Sequence, residues 1–301
     1  MINETSHITV CVCTYKRPHL LKRLLEALRD QDTDTLFTYS VVVADNDKLQ
    51  SAKAVVLDFA ASSSVFINYC VEPQQSIALA RNKAVENARG GYIAFIDDDE
   101  VPVKNWLLML FNTCEEHRVD GVLGPVKRYF DEEPPGWIVK SQFYERRINA
   151  TGSIVDWHEA RTGNVLVKRR MFEAGVPPFR AEFRAGEDQD FFRRMIEKGY
   201  VFIWCDKAVA YEVVSPSRWK RTYMLKKALL RGATARLQPS CGSLSISKSV
   251  MAVPIYIVAL PLACTLGHHR FMALLVKLFD HLGKLLALVG INPIKEQYVT
   301  D

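Results

Sequence analysis

Four consecutive carboxylates follow a short apolar run in the stretch YIAFIDDDEVP, residues 92–102. In an extended chain successive side chains alternate sides, so Asp97 and Asp99 are expected to point one way and Asp98 the other. Carboxylates this close repel one another unless a cation lies between them. Their hard oxygens suit Mg²⁺ or Mn²⁺, with phosphate oxygens of a ligand completing the shell. The alternative is that the acids cap a helix beginning near Pro102.

A second group of acids opens a helix-like segment in RAGEDQDFFRRMIEKGY. Glu187, Asp188 and Asp190 precede the apolar stripe of this predicted helix. Their position alone does not make any of them a catalytic base. Acids at a helix N-terminus are also favoured by the helix dipole alone, so a catalytic and a structural role both stay open.

Strands and helices alternate along the first hundred residues. Short, β-branched and almost continuously apolar runs predict strands that are covered on both faces. Apolar periodicity between them predicts helices, and the alternation indicates βαβ units and a mostly parallel sheet. The predicted strands are 8–13, 39–44, 66–71 and 92–96, and the predicted helices are 18–30, 50–61 and 76–89.

Polar side chains follow each predicted strand. The carboxyl ends of parallel strands meet at one edge of a sheet, where ligands bind, so these side chains are expected to share one rim. Loops after strands are polar in many proteins, which is the alternative for any one of them. The four polar groups are Thr14 to Arg17, Asp45 to Asp47, Glu72 with Pro73, and Asp97 to Glu100.

Composition places the chain among globular proteins, since 49% of its 301 residues are apolar. Its seven cysteines include no CxxC pair, so neither a disulfide framework nor a zinc cluster is expected and a reducing compartment fits best. The N-terminal apolar run is only six residues long and lacks a basic leader, which is not typical of a signal peptide. The N-terminal part is therefore expected in the cytosol.

The net charge of +5 is unevenly distributed. Residues 213–279 contain ten Lys and Arg and no Asp or Glu, so the rest of the chain carries about −5. Within this basic part, 216–237 predicts a helix, 250–266 is a seventeen-residue uncharged segment with two prolines, and 271–291 has the pattern of an amphipathic helix.

The basic part is expected to bind a membrane surface. Basic side chains beside apolar helices favour the anionic cytoplasmic leaflet, and the positive-inside rule agrees with a cytosolic N-terminal part. This combination argues against nucleic acid as the partner. A soluble helical extension is the alternative, and a true span of residues 250–266 stays open because its length is just short of a comfortable membrane crossing.

Five motifs in order resemble the inverting nucleotide-sugar glycosyltransferases of family 2. Within that family the chain is similar to enzymes of bacterial exopolysaccharide assembly, including succinoglycan-type glucosyltransferases. The resemblance implies an α/β fold of the GT-A type, a Rossmann-like and mostly parallel sheet flanked by helices. The motifs are CTYKRP, ADND, ALARNKAVENARGGYIAFIDDDEVP, TGNVLVKR and GEDQDFF, within residues 8–200.

The resemblance also implies roles for individual residues. Asp188 matches the base that deprotonates the acceptor, with Asp190 and Glu187 as second choices. Asp97 and Asp99 match the DxD pair that holds Mn²⁺ or Mg²⁺ against the donor phosphates. The residues expected to bind the donor are Thr14, Tyr15, Arg17, Asp45, Arg81, Asp97, Asp98 and Asn164.

Some of these assignments have alternatives. Asp45 would accept a hydrogen bond from uracil N3–H, which favours a uridine nucleotide. Arg81 would lie near the diphosphate or form a helix-surface salt bridge. The turn 162–164 would lie beside the donor sugar or be an ordinary turn.

The chain departs from the family pattern at one position. Many members place a histidine of the metal shell on the strand after the base helix, whereas AVAYEVVSP offers Tyr211 and Glu212, so Glu212 is a second-choice ligand. The aromatic, proline-rich stretch 128–160 is either an acceptor-binding loop or a loop held by its own side chains.

Together these features predict a metal-dependent inverting enzyme that moves a hexose from a UDP-sugar to a polyprenyl-diphosphate-linked saccharide or a polysaccharide. It would act at the cytoplasmic face of the bacterial inner membrane. The predicted domains are a GT-A domain over 1–215, with a nucleotide-binding half 1–100 and an acceptor half 101–215, and a membrane-associating region over 216–301. The alternatives are a sugar nucleotidyltransferase and an inactive membrane-bound protein that binds nucleotide sugars.

Overall fold

A computed structural model describes residues 7–173, 177–238 and 242–294 of the chain. Strands and helices alternate through its first hundred residues, so the four predicted strands and three predicted helices there are confirmed. The strands of the described residues are β1 (His7–Thr14), β2 (Thr38–Asp45), β3 (Ile67–Val71), β4 (Tyr92–Ile96), β5 (Glu100–Pro102), β6 (Gly121–Leu123), β7 (Val126–Tyr129), β8 (Asn164–Lys168), β9 (Phe202–Trp204) and β10 (Ala210–Val213). The helices are α1 (Pro18–Leu28), α2 (Lys53–Ser62), α3 (Ile77–Glu86), α4 (Trp106–His117), α5 (Gly136–Ser141), α6 (Glu187–Glu197), α7 (Arg221–Ala235), α8 (Ser243–Thr265) and α9 (His268–Leu288).

The central sheet has the strand order β3-β2-β1-β4-β8-β6-β9. Only β8 runs antiparallel to its neighbours, so the prediction of a mostly parallel sheet is confirmed. Thr14 at the end of β1 is level with Asp45 at the end of β2, which is level with Val71 at the end of β3. This register aligns the carboxyl ends of three strands and delivers their following loops to one rim.

Two apolar layers hold the sheet in place, one on each face. Val10 and Val12 of β1 belong to the layer formed with α1 and α4, and Cys11 between them belongs to the layer formed with α3 and α6. Residues on alternating faces of β1 are therefore both buried, as its uninterrupted apolar sequence requires. Each fully buried Val or Leu side chain contributes about 1.5–3 kcal/mol to the stability of the folded state, relative to an exposed one.

The acids after β4 form a turn and not an extended strand. The amide of Glu100 donates to the carbonyl of Asp97 at 3.0 Å, and the chain reverses there before entering β5. The expected alternation of Asp97, Asp98 and Asp99 along a strand is thus wrong, because the three residues occupy the bend of the turn. Pro102 ends β5 and α4 begins at Trp106, so the acids do not cap a helix at Pro102.

Asn164, the first residue of β8, is hydrogen-bonded to three neighbouring segments. Its side-chain oxygen accepts a hydrogen bond from the Trp106 indole at 2.7 Å. Its amide nitrogen donates to the carbonyls of Pro125 at 3.1 Å and Ala208 at 2.8 Å. The side chain is 2% exposed, so it joins α4 and two loops from the sheet interior.

The described residues divide into two compact units. The first comprises Met1–Tyr129, Arg146–Ala181 and Glu187–Val213, and the second Phe130–Glu145, Glu182–Gly186 and Val214–Asp301, as far as these are described. The predicted domain division at residue 215 stays a prediction, and the structure places part of the predicted acceptor half in the second unit. Residues 239–241 and 295–301 of the predicted membrane region lie outside the described residues.

The second unit is helical where it is described. The helix predicted over 216–237 is α7, which follows a short 3-10 turn, and the amphipathic helix predicted over 271–291 is α9. The uncharged segment 250–266 lies within the longer helix α8, apart from its last residue. Helix α5 packs on α7 and α9 through an aromatic and apolar cluster that includes Ile138, Tyr223 and Met272. Among the described helices, α8 is long and apolar enough to cross a membrane by length and composition, with a mean hydropathy of 1.7 over its most apolar window.

We expect Asn164→Ala to lower the free energy of unfolding by about 2–4 kcal/mol, because it leaves the Trp106 indole donor and the Ala208 carbonyl unpaired in the interior, whereas the Pro125 carbonyl keeps its bond from the Ala210 amide. Urea denaturation measures this. Asn68→Ala is the control, since the Asn68 amide makes a single part-buried hydrogen bond to Asn87 at 3.2 Å and its loss should cost under about 1 kcal/mol. Equal costs for the two variants would contradict the role assigned to Asn164.

Candidate active site

The loop after β1 lies against the acid turn after β4. Thr14 donates from its hydroxyl to Asp98 Oδ2 at 2.7 Å. Arg17 donates to Asp99 Oδ2 at 3.1 Å and forms a further ion pair with Asp98. Two of the strand-end groups predicted to share a rim are therefore in contact, and the guanidinium of Arg17 compensates two neighbouring carboxylates.

Burial changes the protonation chemistry of the acid turn. Burial raises the pKa of Asp98 to about 7, although Arg17 favours its ionised form. Burial and the nearby charge of Asp97 raise the pKa of Glu100 well above its ordinary value. Burial likewise raises the pKa of Asp97, with Arg81 acting in the opposite direction. A further cation that reached these buried carboxylates would stabilise their ionised forms.

Arg81 of α3 connects the acid turn to the start of α6. Its guanidinium donates to Asp97 Oδ1 at 3.4 Å and forms an ion pair with Glu187. Arg81 is 6% exposed, so the alternative of a helix-surface salt bridge is wrong. Phe179 supports it, with the guanidinium 5.9 Å from the ring centroid. One buried side chain thus touches both groups of acids that the sequence singled out.

Asn82, the next residue of α3, keeps this connection in place. Its side chain donates to the Phe179 carbonyl at 2.8 Å and accepts from the Phe179 amide at 3.0 Å. The reciprocal pair holds the segment that precedes α6 against α3. Rotation of Arg81 is therefore restricted by Phe179 as well as by its two carboxylate partners.

The first two residues of α6 have different environments. Glu187 is 4% exposed, and burial raises its pKa to about 7 although Arg81 opposes the shift. Asp188 is half-buried, and its carboxylate accepts the amide of Gln189 at 2.8 Å. Within the described part of the chain the Asp188 carboxylate forms no ion pair, unlike that of Glu187.

Asp190 is paired with three arginines, and its role is structural. Its carboxylate is fully buried and accepts from Arg180 at 2.8 and 2.5 Å, from Arg193 at 3.1 Å and from Arg194 at 2.9 Å. Burial alone would raise the pKa of Asp190, but the hydrogen bonds from Arg180 and Arg194 outweigh it and hold the pKa below its ordinary value. These contacts anchor α6 to the segment before it and orient the helix that carries Asp188.

The end of β2 is organised by internal hydrogen bonds. Asp45 is fully buried and accepts the amides of Asp47 at 3.0 Å and Ala52 at 2.9 Å, together with the hydroxyl of Tyr69 at 2.8 Å. Burial and this hydrogen bond raise the pKa of Tyr69. These three internal donors occupy most of the hydrogen-bond acceptor positions of the Asp45 carboxylate.

The loop after β1 also contains Tyr15 and Lys16. Tyr15 is half-buried, and the Lys16 ammonium lies 5.1 Å from its ring centroid. Lys16 has a φ of 55°, so the chain turns sharply between β1 and α1. This turn presents Tyr15 and Arg17 on the rim, whereas Asn164, also predicted to bind the donor, is held in the interior by the contacts described above.

Glu212 faces an acid of the turn. The β5–β10 register places Glu212 directly opposite Glu100, and like charges at such a position are destabilising. Arg146 donates to Glu212 Oε2 at 3.0 Å, which compensates the pair. The sequence singled out Glu212 but not Arg146, because the two residues are distant in sequence and no local pattern links them.

The turn before β8 has little space for a side chain. A Cβ atom at Gly163 would lie 2.6 Å from Glu100 Oε1, so any larger residue there would displace the end of the Glu100 side chain. The hydroxyl of Thr162 is buried and has no hydrogen-bond partner in the described residues. Both features support the prediction that this turn borders the site. The Thr162 hydroxyl, which has no partner in the described residues, could form a hydrogen bond to a ligand.

The aromatic stretch predicted over 128–160 is divided between the two units. In the first unit, Trp157 stacks on His158 with ring centroids 3.5 Å apart, and His158 contacts Asp156 at 2.6 Å. The side chain of Gln189 donates to the His158 carbonyl at 2.9 Å. Residues 156–158 therefore lie beside the N-terminus of α6, next to Asp188.

Comparison with known proteins assigns the fold and the family. Residues 9–175 match the model of glycosyl transferase family 2. The chain is 30% identical to the succinoglycan biosynthesis protein ExoM of Rhizobium meliloti, over 99% of this chain and 97% of that protein. It is 24% identical to the glycosyltransferase AglE of Haloferax volcanii, over 72% of this chain and 70% of that protein.

Solved structures agree on the GT-A fold. The mannosyltransferase PcManGT of Pyrobaculum calidifontis, in complex with GDP-Man and Mn²⁺, superposes with a TM-score of 0.62 and 16% identity, covering 92% of this chain and 86% of that one. TarS 1-349 of S. aureus, in complex with UDP-GlcNAc, superposes with a TM-score of 0.52 and 21% identity, covering 75% and 66%. The prediction of a GT-A fold is confirmed.

We expect Asp190→Asn to lower the free energy of unfolding by about 3 kcal/mol at neutral pH, because it leaves three arginines without their buried carboxylate. The folded-state pKa of Asp190 is depressed, so its contribution is present above the unfolded pKa and is lost as pH falls through the folded pKa. The difference between wild type and variant should therefore shrink in acid. Urea titrations at several pH values measure it.

Glu197→Gln is the matched control on the same helix, because the Arg193–Glu197 pair is largely exposed on the glutamate side and should contribute under about 1 kcal/mol. A constant difference between wild type and Asp190→Asn across the acid range would contradict the assignment.

Proposed function

The chain belongs to glycosyltransferase family 2, and on that premise we propose that it is an inverting enzyme that transfers a hexose from a UDP-sugar to a saccharide acceptor in exopolysaccharide synthesis. The observation that carries this proposal is the contact of Arg81 with both Asp97 and Glu187. It brings the acid turn, where a nucleotide sugar would bind, and the available carboxylate of Asp188 to the same site.

Asp188 is the proposed general base. In an inverting transfer the acceptor hydroxyl attacks the anomeric carbon, the bond from that carbon to the diphosphate oxygen breaks, and the hydroxyl proton passes to a base. Asp188 is half-buried and without a cationic partner among the described contacts, so its carboxylate can receive that proton at the helix N-terminus. Asp190 is not the better choice, because its oxygens are held by three arginines.

The ion pair of Glu187 and Arg81 would position Asp188, and Arg81, which contacts Asp97 of the acid turn, would also lie near the donor diphosphate. Their buried ion pair fixes the first residue of α6, and the arginines around Asp190 fix the helix two residues later. Asp188 lies between these two anchors. The carboxylate is therefore held from both sides along the helix while remaining accessible itself, which limits the reorientation needed before proton transfer.

The residues of the acid turn fit a divalent cation such as Mn²⁺ or Mg²⁺. Asp97 has a side chain that is 43% exposed, and its Oδ2 accepts no hydrogen bond from the described residues. No group of three or more His, Cys, Asp or Glu side chains in the described ranges is arranged to hold a metal, which agrees with one or two carboxylates completed by phosphates. Asp97 and Asp99 would hold the ion, which when bound neutralises charge on the departing diphosphate.

The donor would lie along the rim formed by the ends of β1, β2 and β4. Thr14 and Arg17 organise the acid turn from one side, and Tyr15 offers an aromatic surface on the same loop. Uridine is proposed because Asp45 ends β2 at this rim and because TarS 1-349 of S. aureus, which shares the fold, binds UDP-GlcNAc. Asn164 would act on the donor indirectly, by holding the turn of Thr162 and Gly163 beside Glu100.

A lipid-linked saccharide is the proposed acceptor, since ExoM is named for succinoglycan biosynthesis and the C-terminal helices carry basic and apolar residues. A polyprenyl diphosphate carrier at the cytoplasmic face of the inner membrane would bring the acceptor hydroxyl to a protein held at the same surface. The stacked pair Trp157 and His158 beside α6 is the proposed place for the acceptor sugar, because aromatic rings stack on sugar faces.

We expect Asp188→Asn to reduce turnover by about 10²–10⁴-fold with little change in UDP affinity, because it removes the proton acceptor and leaves the acid turn intact. UDP release with UDP-sugars, Mn²⁺ and native lipid extract measures turnover, and calorimetry measures UDP binding. Asp58→Asn, a change at an exposed position of α2, is the control and should retain turnover.

Other outcomes identify the alternatives. Wild-type protein that binds UDP-sugar but transfers nothing under these conditions indicates a binding protein. Formation of a nucleotide sugar from UTP and a sugar phosphate indicates a nucleotidyltransferase. An Asp188→Asn variant that retains full turnover would remove Asp188 from the mechanism.

We expect Asp97→Asn to weaken Mn²⁺ binding in the presence of UDP by about tenfold or more, because it removes the carboxylate with an available oxygen. Electron paramagnetic resonance of free Mn²⁺ measures this without turnover. Asp58→Asn should bind as the wild type does, and unchanged binding in Asp97→Asn would exclude it as a ligand. Removal of the ion with EDTA should abolish transfer.

A further inference from the structure

The apolar helix α8 has its large apolar side chains on the outside. Five of them recur at helical spacing along one stripe, and a second stripe beside it is also apolar and exposed. About half of the helix circumference is therefore apolar and uncovered. The exposed fractions on the first stripe are Leu244 79%, Met251 67%, Ile255 59%, Val258 79% and Leu262 65%, and those on the second are Val250 55% and Ile257 54%.

The opposite side of α8 is small or polar and packs on α9. Ser249 is fully buried and its hydroxyl contacts His281 Nδ1 at 2.9 Å. Ser245 accepts a hydrogen bond from the Lys284 ammonium at 2.9 Å. Ala263 is the other buried residue of the helix. The burial pattern of α8 is thus the reverse of that of a helix on a water-soluble protein, which buries its large apolar residues.

Helices α7 and α9 also pack through small residues. A Cβ atom at Gly232 would lie 2.0 Å from the carbonyl oxygen of Asp280, and one at Gly283 would lie 2.2 Å from that of Leu229. Close contact through glycine leaves the large side chains of both helices free for other surfaces, as in helices that meet lipid.

We propose that α8 lies flat in the headgroup region of an anionic leaflet, with its exposed stripes in the acyl boundary, and that it does not cross the bilayer. The charge of the region favours anionic lipid over an apolar protein partner, since residues 213–279 carry ten cations, of which Arg231 pairs with Asp280 of α9. Lys220, Arg221 and Lys227 are exposed on or beside α7. This inference stands apart from the proposed transferase activity.

The packing of α9 excludes a span. At 23 residues α8 is about 34 Å long, enough to cross a hydrocarbon core of about 30 Å. Because Ser245 and Ser249 pair with Lys284 and His281, the helices are antiparallel, and Lys277 is level with residue 253 near the middle of α8. A crossing α8 would carry the exposed Lys277 to the bilayer centre, which is costly, whereas a flat α8 leaves it at the interface.

Vesicle sedimentation of the full chain tests the surface. We expect the wild type to bind vesicles of phosphatidylcholine with phosphatidylglycerol, less at high salt, and the double variant Ile255→Gln, Val258→Gln to bind about tenfold more weakly or worse. The matched control Leu57→Gln changes an apolar residue that is 58% exposed on α2 and should bind as wild type. Circular dichroism confirms that each variant is folded.

Cysteine labelling tests the orientation. In a background with Cys241 and Cys264 replaced by serine, Ser247→Cys and Thr265→Cys place thiols near the two ends of α8. With inverted inner-membrane vesicles and an impermeant maleimide, both positions should react equally. Reaction at one end alone would show a span and overturn the flat orientation.

Absence of vesicle binding, with dimerisation that is lost in the Ile255→Gln, Val258→Gln variant, would show that a second copy of the chain covers α8 and would overturn the proposal of lipid. Either result leaves the Asp188 experiment unaffected, because that experiment measures transfer and UDP binding in the first unit.

Discussion

The concentration of carboxylates at one edge of the sheet is the constraint on which the site depends. Asp97, Asp98, Asp99 and Glu100 are confined to one turn, and burial raises the pKa of three of them. Such a turn is stable only if cations from elsewhere reach it. Three arginines do so, Arg17 from the loop after β1, Arg81 from α3 and Arg146 from the loop before β8.

The pairing of these carboxylates with arginines also connects the acid turn to the acids at the start of α6. Arg81 has one partner in the acid turn and one at the start of α6, so a change in charge at the turn is felt at Glu187 through a single buried guanidinium. A bound cation and a diphosphate would alter that balance where the donor binds. Asp188, the proposed base, is the next residue after Glu187, so the contacts of Arg81 connect the acid turn to the residue beside it.

The two units differ in the kinds of residue that they bury. In the first unit alternate faces of β1 are packed by two apolar layers, and polar groups gather at strand ends. In the second, α8 packs through Ser249 and exposes residues such as Val258. Water favours the first arrangement and an apolar surrounding favours the second. Both arrangements in one chain are what the proposed attachment of α8 to a lipid surface would require.

The sequence by itself determined the strands and helices of the first hundred residues, the mostly parallel sheet and the acids that follow β4, because apolar periodicity and strand-end position are local properties. Only the tertiary structure decided that Asp190 is an anchor, that Asn164 is interior and that Arg146 faces Glu212, since each depends on partners far apart in the chain. The bend at Asp97 to Glu100 was also decided there, because pairing of β5 with β10 reverses a segment that local sequence leaves extended.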